Sequence, residues 1–467
     1  MARQIRWSAL VIFLGFLALG FGAGYWQVVR SDDLASRSGN PRIAELSARE
    51  QRGTIWSADS VRLAWSATGD DGRRARMYAL PSLAHLLGYV SRTYGVSGIE
   101  EQYNDQLSGS RSGQPLEQLW HDLTRERLPG NDLVLTIDTR VQQAAAEALG
   151  DRPGAVVAID PRTGAVLAMV SSPGFDPATI EETGEALLTD PDAPLINRAT
   201  QGQYAPGSIF KSVTAVAALE SGEFRPESTF RCPSGVVVQG FVIACAGVPP
   251  NVREYDFAHA YAWSVNANFA EIGLKVGAPT LVAQARRFGF EEEIPFDLPV
   301  TPSRLLQPGK AFNDVLLATT AFGQGELAAT PLQMALVAAA VANDGTIMQP
   351  YLVQQVKDPA GEILQDKRPR RWREVMRSET AATLRRFMTT AVQEGFGGGA
   401  AIPGVAVGGK TGTAENAPGE PPHAWFTGIA PVEDPAVAVA VVVENAGQGS
   451  AVAAPIAGAV MQAALRR

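Results

Sequence analysis

Lysine is scarce in this chain. Only six occur, Lys211, Lys275, Lys310, Lys357, Lys367 and Lys410, and every other basic residue is arginine. A motif that contains lysine is therefore harder to obtain by chance here than in an average protein. Cysteine is scarcer still, with Cys232 and Cys245 alone. Two cysteines exclude a disulfide-dense scaffold and a zinc ribbon. Positive charge is also in deficit, with 40 Lys and Arg against 48 Asp and Glu for a net −8. That balance argues against a nucleic-acid-binding face. His85 and His121 have no Cys or carboxylate at metal-ligand spacing, so each reads as a surface or packing residue. Internal repeats and low-complexity runs are missing. What remains is 467 residues with 46% hydrophobic and 19% charged side chains, enough to build a core in more than one domain.

One long apolar run exists. Residues 7–29 carry no charge, and 23 residues at helical rise span roughly 34 Å, enough to cross a hydrocarbon core. Arg3 and Arg6 precede it, while Arg30 is followed at once by Asp32 and Asp33. The positive-inside rule puts the N-terminus in the cytoplasm and the rest of the chain outside. Tyr25 and Trp26 fall where an interfacial aromatic belt sits. A cleaved signal peptide is the competing reading, but the run is long for one and no A-x-A site follows. The expected domains are 1–30 (cytoplasmic tip and anchor), 31–150 (a polar, Arg-rich, membrane-proximal α+β module) and 151–467 (the chemical domain).

From Gly154 the pattern tightens. GAVVAIDPRTGAVLAMVSS predicts two strands joined by a turn. Ser208 to Leu219 has helical spacing after Pro206-Gly207. Thr330 and Pro331 open another helix as N-cap and first-turn residues. AWFTGIAP and AVAVAVVVEN predict neighbouring strands around Glu433-Asp434-Pro435, and a last helix covers about 453–465. Strands at both ends with helices between them imply an α+β domain, one sheet built from both ends of the region with helices on both faces.

Three motifs carry chemistry. Ser208-Ile209-Phe210-Lys211 places an amine one helical turn from a hydroxyl. Serine needs a neighbouring base to act as a nucleophile, and lysine serves only where desolvation or nearby positive charge keeps it neutral. The free N–H groups after Pro206-Gly207 can stabilise an oxyanion. Ser264-Val265-Asn266 offers a hydroxyl that can relay a proton and an amide that can hold a peptide group. Lys410-Thr411-Gly412-Thr413, after Val407-Gly408-Gly409, reads as a strand edge where glycine lets another backbone approach and where one ammonium and two hydroxyls receive a carboxylate.

In this order the motifs resemble the penicillin-recognising serine enzymes, whose middle motif is S-D-N where this chain has Ser264-Val265-Asn266. INRATQGQYAPGSIFK, FGQGELAATPLQMALVAAAVANDG, GGKTGTAEN and HAWFTGIAP look like successive landmarks of a transpeptidase domain. Arg52-Gly53-Thr54-Ile55, Gly98-Ile99-Glu100 and Leu135-Thr136-Ile137-Asp138 resemble the pedestal of class B, monofunctional penicillin-binding proteins, in their short form without an appended C-terminal domain. Trp56-Ser57-Ala58-Asp59-Ser60 departs from the family's acidic-basic-Asn-Gly turn. The resemblance implies a peptidoglycan D,D-transpeptidase with an antiparallel sheet flanked by helices and no metal or organic cofactor. Ser208 would attack a D-Ala-D-Ala carbonyl of a stem peptide. Lys211 would take its proton, and Ser264 would pass one to the leaving D-Ala under the influence of Lys410. Asn266 would hold the donor amide. Thr411 and Thr413, with Gly412 between them, would bind the terminal carboxylate, and the N–H groups of Ser208 and Thr413 would form the oxyanion hole. β-Lactams would inhibit by acylating Ser208. A membrane glycosyltransferase of the division or elongation machinery would be the partner.

A D,D-carboxypeptidase or β-lactamase is the alternative within the superfamily, and a catalytically idle cell-wall scaffold the alternative outside enzymes. The stretch from Cys232 to Cys245 reads as a hairpin with Gly240 near its centre. An oxidising compartment permits a disulfide there, with two free buried thiols as the other reading. Gly323-Gln324-Gly325 is expected to be a structural turn, Glu394 to Gly399 a flexible loop, and His423 and Trp425 packing residues at a strand start.

Overall fold

The computed structural model describes residues 2–26, 51–68, 74–109, 129–417 and 419–467. Arg30, Asp32, Asp33, His121 and positions 27–29 of the apolar run lie outside the described residues. The N-terminal helix is Ala2–Gly24, with nearly every described side chain exposed. Among the described residues it is the one helix long and apolar enough to cross a membrane.

Two sheets organise the rest. The larger joins six strands in the order Ile363–Asp366, Val353–Lys357, Asp132–Leu135, Ile55–Trp56, Arg62–Thr68 and Arg74–Tyr78. Its first two strands come from far along the chain. Val353 to Lys357 pair antiparallel with Leu135 to Asp132, tying the N-terminal strands to the C-terminal half of the chain through backbone hydrogen bonds. Nothing local in either segment announces that pairing. Beside this sheet the Arg52 guanidinium reaches the Glu100 carboxylate at 2.8 Å, and Arg76 reaches its other oxygen at 2.6 Å. Glu100 is wholly buried, so the Arg-Gly and Gly-Ile-Glu segments meet in a buried charge triad. The departing turn closes with Ser60 in the left-handed region at φ 64°. Asp59 accepts hydrogen bonds from the amide and hydroxyl of Thr139, the first residue of the Thr139–Leu149 helix. Burial raises the Asp59 pKa, but the hydrogen bonds from Thr139 and Ser57 outweigh it and hold the carboxyl below its ordinary value.

The second sheet has five antiparallel strands, ordered Gly408–Ala414, His423–Ala430, Val437–Val443, Gly154–Ile159 and Val166–Ser172. Sequence and structure agree that both ends of the region build it. Side chains alternate between its faces. Val156, Ala158, Val439 and Val441 pack with the helices Thr139–Leu149 and Ala453–Ala464. Val157, Ile159, Ala440 and Val442 face the helix Pro331–Ala342, all of whose residues are buried. The Thr330 hydroxyl accepts from the Gln333 amide, and Pro331 occupies the first turn. Cys232 and Cys245 are bonded, with Cα atoms 5.8 Å apart. They flank a hairpin of Val236–Val238 and Phe241–Ile243 whose Gln239-Gly240 turn has positive φ at both positions, as a type I′ turn requires.

Candidate active site

The five-stranded sheet presents Gly408–Ala414 as its edge, and the segment carrying Ser208 crosses that edge. Ser208 does not begin an α-helix. Gly207–Phe210 is a 3₁₀ turn, and the α-helix Lys211–Glu220 follows it. Three residues per turn eclipse positions i and i+3 more closely than 3.6 do, and Lys211 Nζ stands 3.0 Å from Ser208 Oγ. The turn is pinned from two sides. The Gly207 amide donates to Gly323 O at 2.9 Å. A Cβ on Gly323, at φ 89°, would meet Gly207 O at 1.8 Å, so this glycine is a structural requirement of the turn. On the other side the Trp425 indole N–H donates to Ala205 O at 3.0 Å. A Cβ on Gly412 would meet Trp425 Cβ at 2.8 Å and Pro206 O at 2.9 Å. The glycine of the third motif thus lets the strand lie against the nucleophile turn.

Ser264 stands between the helices Phe257–Ala262 and Asn266–Val276 with φ 58°. A non-glycine residue in that region is strained, and such residues collect at functional sites. Its Oγ lies 3.0 Å from Lys211 Nζ and 2.9 Å from Lys410 Nζ, so one hydroxyl bridges the two amines. Lys211 also donates to Ser264 O at 2.8 Å and Asn266 Oδ1 at 2.6 Å. Those two oxygens can only accept. A neutral amine spends both N–H groups on them and keeps its lone pair for the two hydroxyls at 3.0 Å, those of Ser208 and Ser264.

The electrostatics fit that state. Lys211 is 0% exposed and Lys410 1%. Burial pushes Lys211 well below its ordinary pKa, and the Lys410 charge pushes it further. Burial alone brings Lys410 down to about 7. Among the described residues no carboxylate forms an ion pair with either. The proton of the pair is therefore held better by Lys410, leaving Lys211 the more able of the two to accept one. Ser208, Ser264 and Asn266 remain part-exposed and open to a substrate.

Strand alternation sends Lys410 toward the helices and sets Thr411 and Thr413 on the other face. Thr411 is buried, and its carbonyl accepts from Lys410 at 2.9 Å. Thr413 is exposed at the edge, where its backbone lies against Gly207. His423 begins the neighbouring strand and its Nδ1 accepts from the Asn445 amide at 3.1 Å. His85, away from this site, bonds Pro194 O at 2.6 Å, and burial lowers its pKa to about 4. The sequence reading missed Tyr261 and Phe269, whose ring faces lie under Lys410 and Lys211 at 5.7 and 5.3 Å. Their positions three before Ser264 and three after Asn266, on helices leading into and out of the motif, were the available signal.

Comparison with known proteins agrees with this geometry. Residues 154–462 match the penicillin binding protein transpeptidase domain, and residues 52–133 the penicillin binding protein A dimerisation domain. The peptidoglycan D,D-transpeptidase PbpA of Mycolicibacterium smegmatis is 37% identical, over 100% of this chain and 99% of that protein. PbpA of Mycobacterium tuberculosis is 34% identical over the same shares. The imipenem acyl-enzyme of penicillin-binding protein A from M. tuberculosis matches with a TM-score of 0.83 at 34% identity, covering 90% of this chain and 99% of that one. The D,D-transpeptidase domain of a peptidoglycan glycosyltransferase from Eggerthella lenta matches with a TM-score of 0.80 at 37% identity, over the same shares. The chain therefore belongs to the penicillin-binding protein family, in its class B branch.

Proposed function

We propose that this protein is a membrane-anchored peptidoglycan D,D-transpeptidase working through an acyl-enzyme on Ser208. The observation that carries the reading is the Ser208–Lys211–Ser264–Lys410 chain, three contacts of 2.9–3.0 Å with both amines buried. Ser208 Oγ attacks the carbonyl of the D-Ala-D-Ala bond while its proton passes to Lys211. Ser264, fed by Lys410, hands a proton to the departing D-Ala amine. The amine of a second stem peptide then attacks the acyl-enzyme, regenerates Ser208 and leaves a cross-link. Backbone N–H groups at Ser208 and Thr413 receive the oxyanion. Thr413, exposed beside Gly207, is the better placed of the two threonines for the substrate carboxylate. Thr411 is assigned to fixing Lys410 through its carbonyl and to lining the edge with Gly412. With Asn266 Oδ1 engaged by Lys211, its amide N–H groups are left to the donor peptide.

The apolar Ala2–Gly24 helix, with Arg3 and Arg6 at its start, supports a cytoplasmic N-terminus and a catalytic domain outside the membrane. Glycan polymerisation then falls to a membrane glycosyltransferase of the division or elongation machinery. Intact-protein mass spectrometry after penicillin treatment tests the chemistry. One adduct is expected, mapped to Ser208, lasting many minutes and missing from Ser208→Ala. An adduct on another residue, or turnover within seconds, contradicts the reading.

A further inference from the structure

Tyr261 touches the second and third motifs and the residue that follows the first, through three different groups. Its ring face lies 5.7 Å from Lys410 Nζ. Its hydroxyl is 2.8 Å from the hydroxyl of Ser212, the residue after Lys211 on the nucleophile helix. Its carbonyl accepts from the Ser264 amide at 3.1 Å, closing the turn that holds Ser264 in its left-handed conformation. The side chain is wholly buried, packed on Phe269 and Phe387.

We infer that Tyr261 is a positioning residue for acyl transfer, which sets Lys410 and Ser264 in register with the nucleophile helix and favours the ammonium form of Lys410. The inference rests on the transpeptidase reading above. The groups facing Lys410 are few. They are Lys211 from the nucleophile helix, Ser264 and Tyr261 from the segment before Asn266, and the Thr411 carbonyl from its own strand. None is a carboxylate, so the quadrupole of the Tyr261 ring adds negative potential to that of the carbonyl and the serine oxygen. Removing the ring takes a stabilising partner from the charged amine and lowers its pKa. Burial keeps the Tyr261 hydroxyl itself protonated, by raising its pKa far above neutral.

The test is the second-order rate of labelling by a fluorescent penicillin as a function of pH, on the full chain. The variants are Tyr261→Phe, Tyr261→Leu and Phe387→Leu. Phe387 packs on the same ring, and among the described residues its own ring forms no cation–π contact with either lysine, so its variant controls for loss of packing. Tyr261→Leu is expected to label at least tenfold more slowly, with the alkaline limb of the profile moved down by roughly half a pH unit. Tyr261→Phe keeps the ring and should keep the limb where it is, with a few-fold loss from the missing Ser212 bond. Phe387→Leu should lower the melting temperature without moving the limb. If Tyr261→Leu gives the limb and rate of the Phe387→Leu control, the inference is overturned while the transpeptidase reading stands. If the unaltered protein is not labelled at all, the transpeptidase reading itself fails.

Discussion

At the scale of single residues, the two buried lysines oppose folding while serving the chemistry. Lys410 has a folded pKa near 7, against roughly 10.4 in an unfolded chain. Its folded pKa is the lower one, so the unfolded state binds more protons between those values and stability rises with pH across that window. The penalty is full below pH 7 and fades toward pH 10. Lys410→Met should therefore abolish penicillin labelling yet raise the melting temperature by a few degrees at pH 7. That gain should shrink as pH climbs toward 10. A variant that melts lower than the parent at pH 7 would contradict the burial argument. The identities of Ser208, Lys211, Ser264, Asn266 and Lys410 were legible in the sequence because lysine is rare and the motif order is distinctive. The left-handed Ser264 was not legible. Its conformation is imposed by the turn between two helices, and Ser-Val-Asn carries no mark of it.

At the scale of elements, the nucleophile turn depends on glycines that admit a neighbouring backbone. Gly323→Ala would drive a methyl into Gly207 O in a backbone conformation that disfavours side chains. It should slow acylation more than tenfold, in excess of any loss in melting temperature, because it moves Ser208 off its line with Lys211. Thr330→Ala is the contrasting case. It removes the cap of the buried Pro331–Ala342 helix and should cost about 1 kcal/mol in chemical denaturation, with acylation unchanged at 25 °C. The Thr330-Pro331 start, the hairpin from Gly154 to Ser172 and the strands around Glu433-Asp434-Pro435 were readable because capping chemistry and alternation are local. The 3₁₀ character at Ser208 was not, since contacts with Gly323 and Trp425 impose it from more than a hundred residues away.

At the scale of the whole molecule, the Arg52–Glu100–Arg76 triad holds the N-terminal strands and helices together, and the six-stranded sheet fastens them to strands from the C-terminal half of the chain. Glu100→Gln would leave two buried guanidiniums short of a counter-charge and should cost about 3–5 kcal/mol in unfolding experiments. A cost under 1 kcal/mol would mean that water already reaches the triad. Attachment to the membrane should depend on the first helix. Replacing Leu14 and Phe16 with Asp adds roughly 2.5–3.5 kcal/mol per residue to insertion. The full chain should then leave the membrane fraction with its Ser208 labelling intact. Pairing between Asp132–Leu135 and Val353–Lys357 could not be foreseen, because strand partners over two hundred residues apart leave no local signature.

The catalytic sheet has a consequence in time. The strands Gly154–Ile159 and Val166–Ser172, at the side of the sheet opposite Gly408–Ala414, are made early, and the strand carrying Lys410 is made about two hundred residues after Ser208. At roughly 5–20 residues per second, the ribosome needs on the order of 10–40 s to bridge that interval. Throughout it the nucleophile exists without the edge strand that completes its site. On the proposed chemistry, a nascent chain should be blind to penicillin until its last strands join the sheet, so that chemical competence arrives with the end of folding.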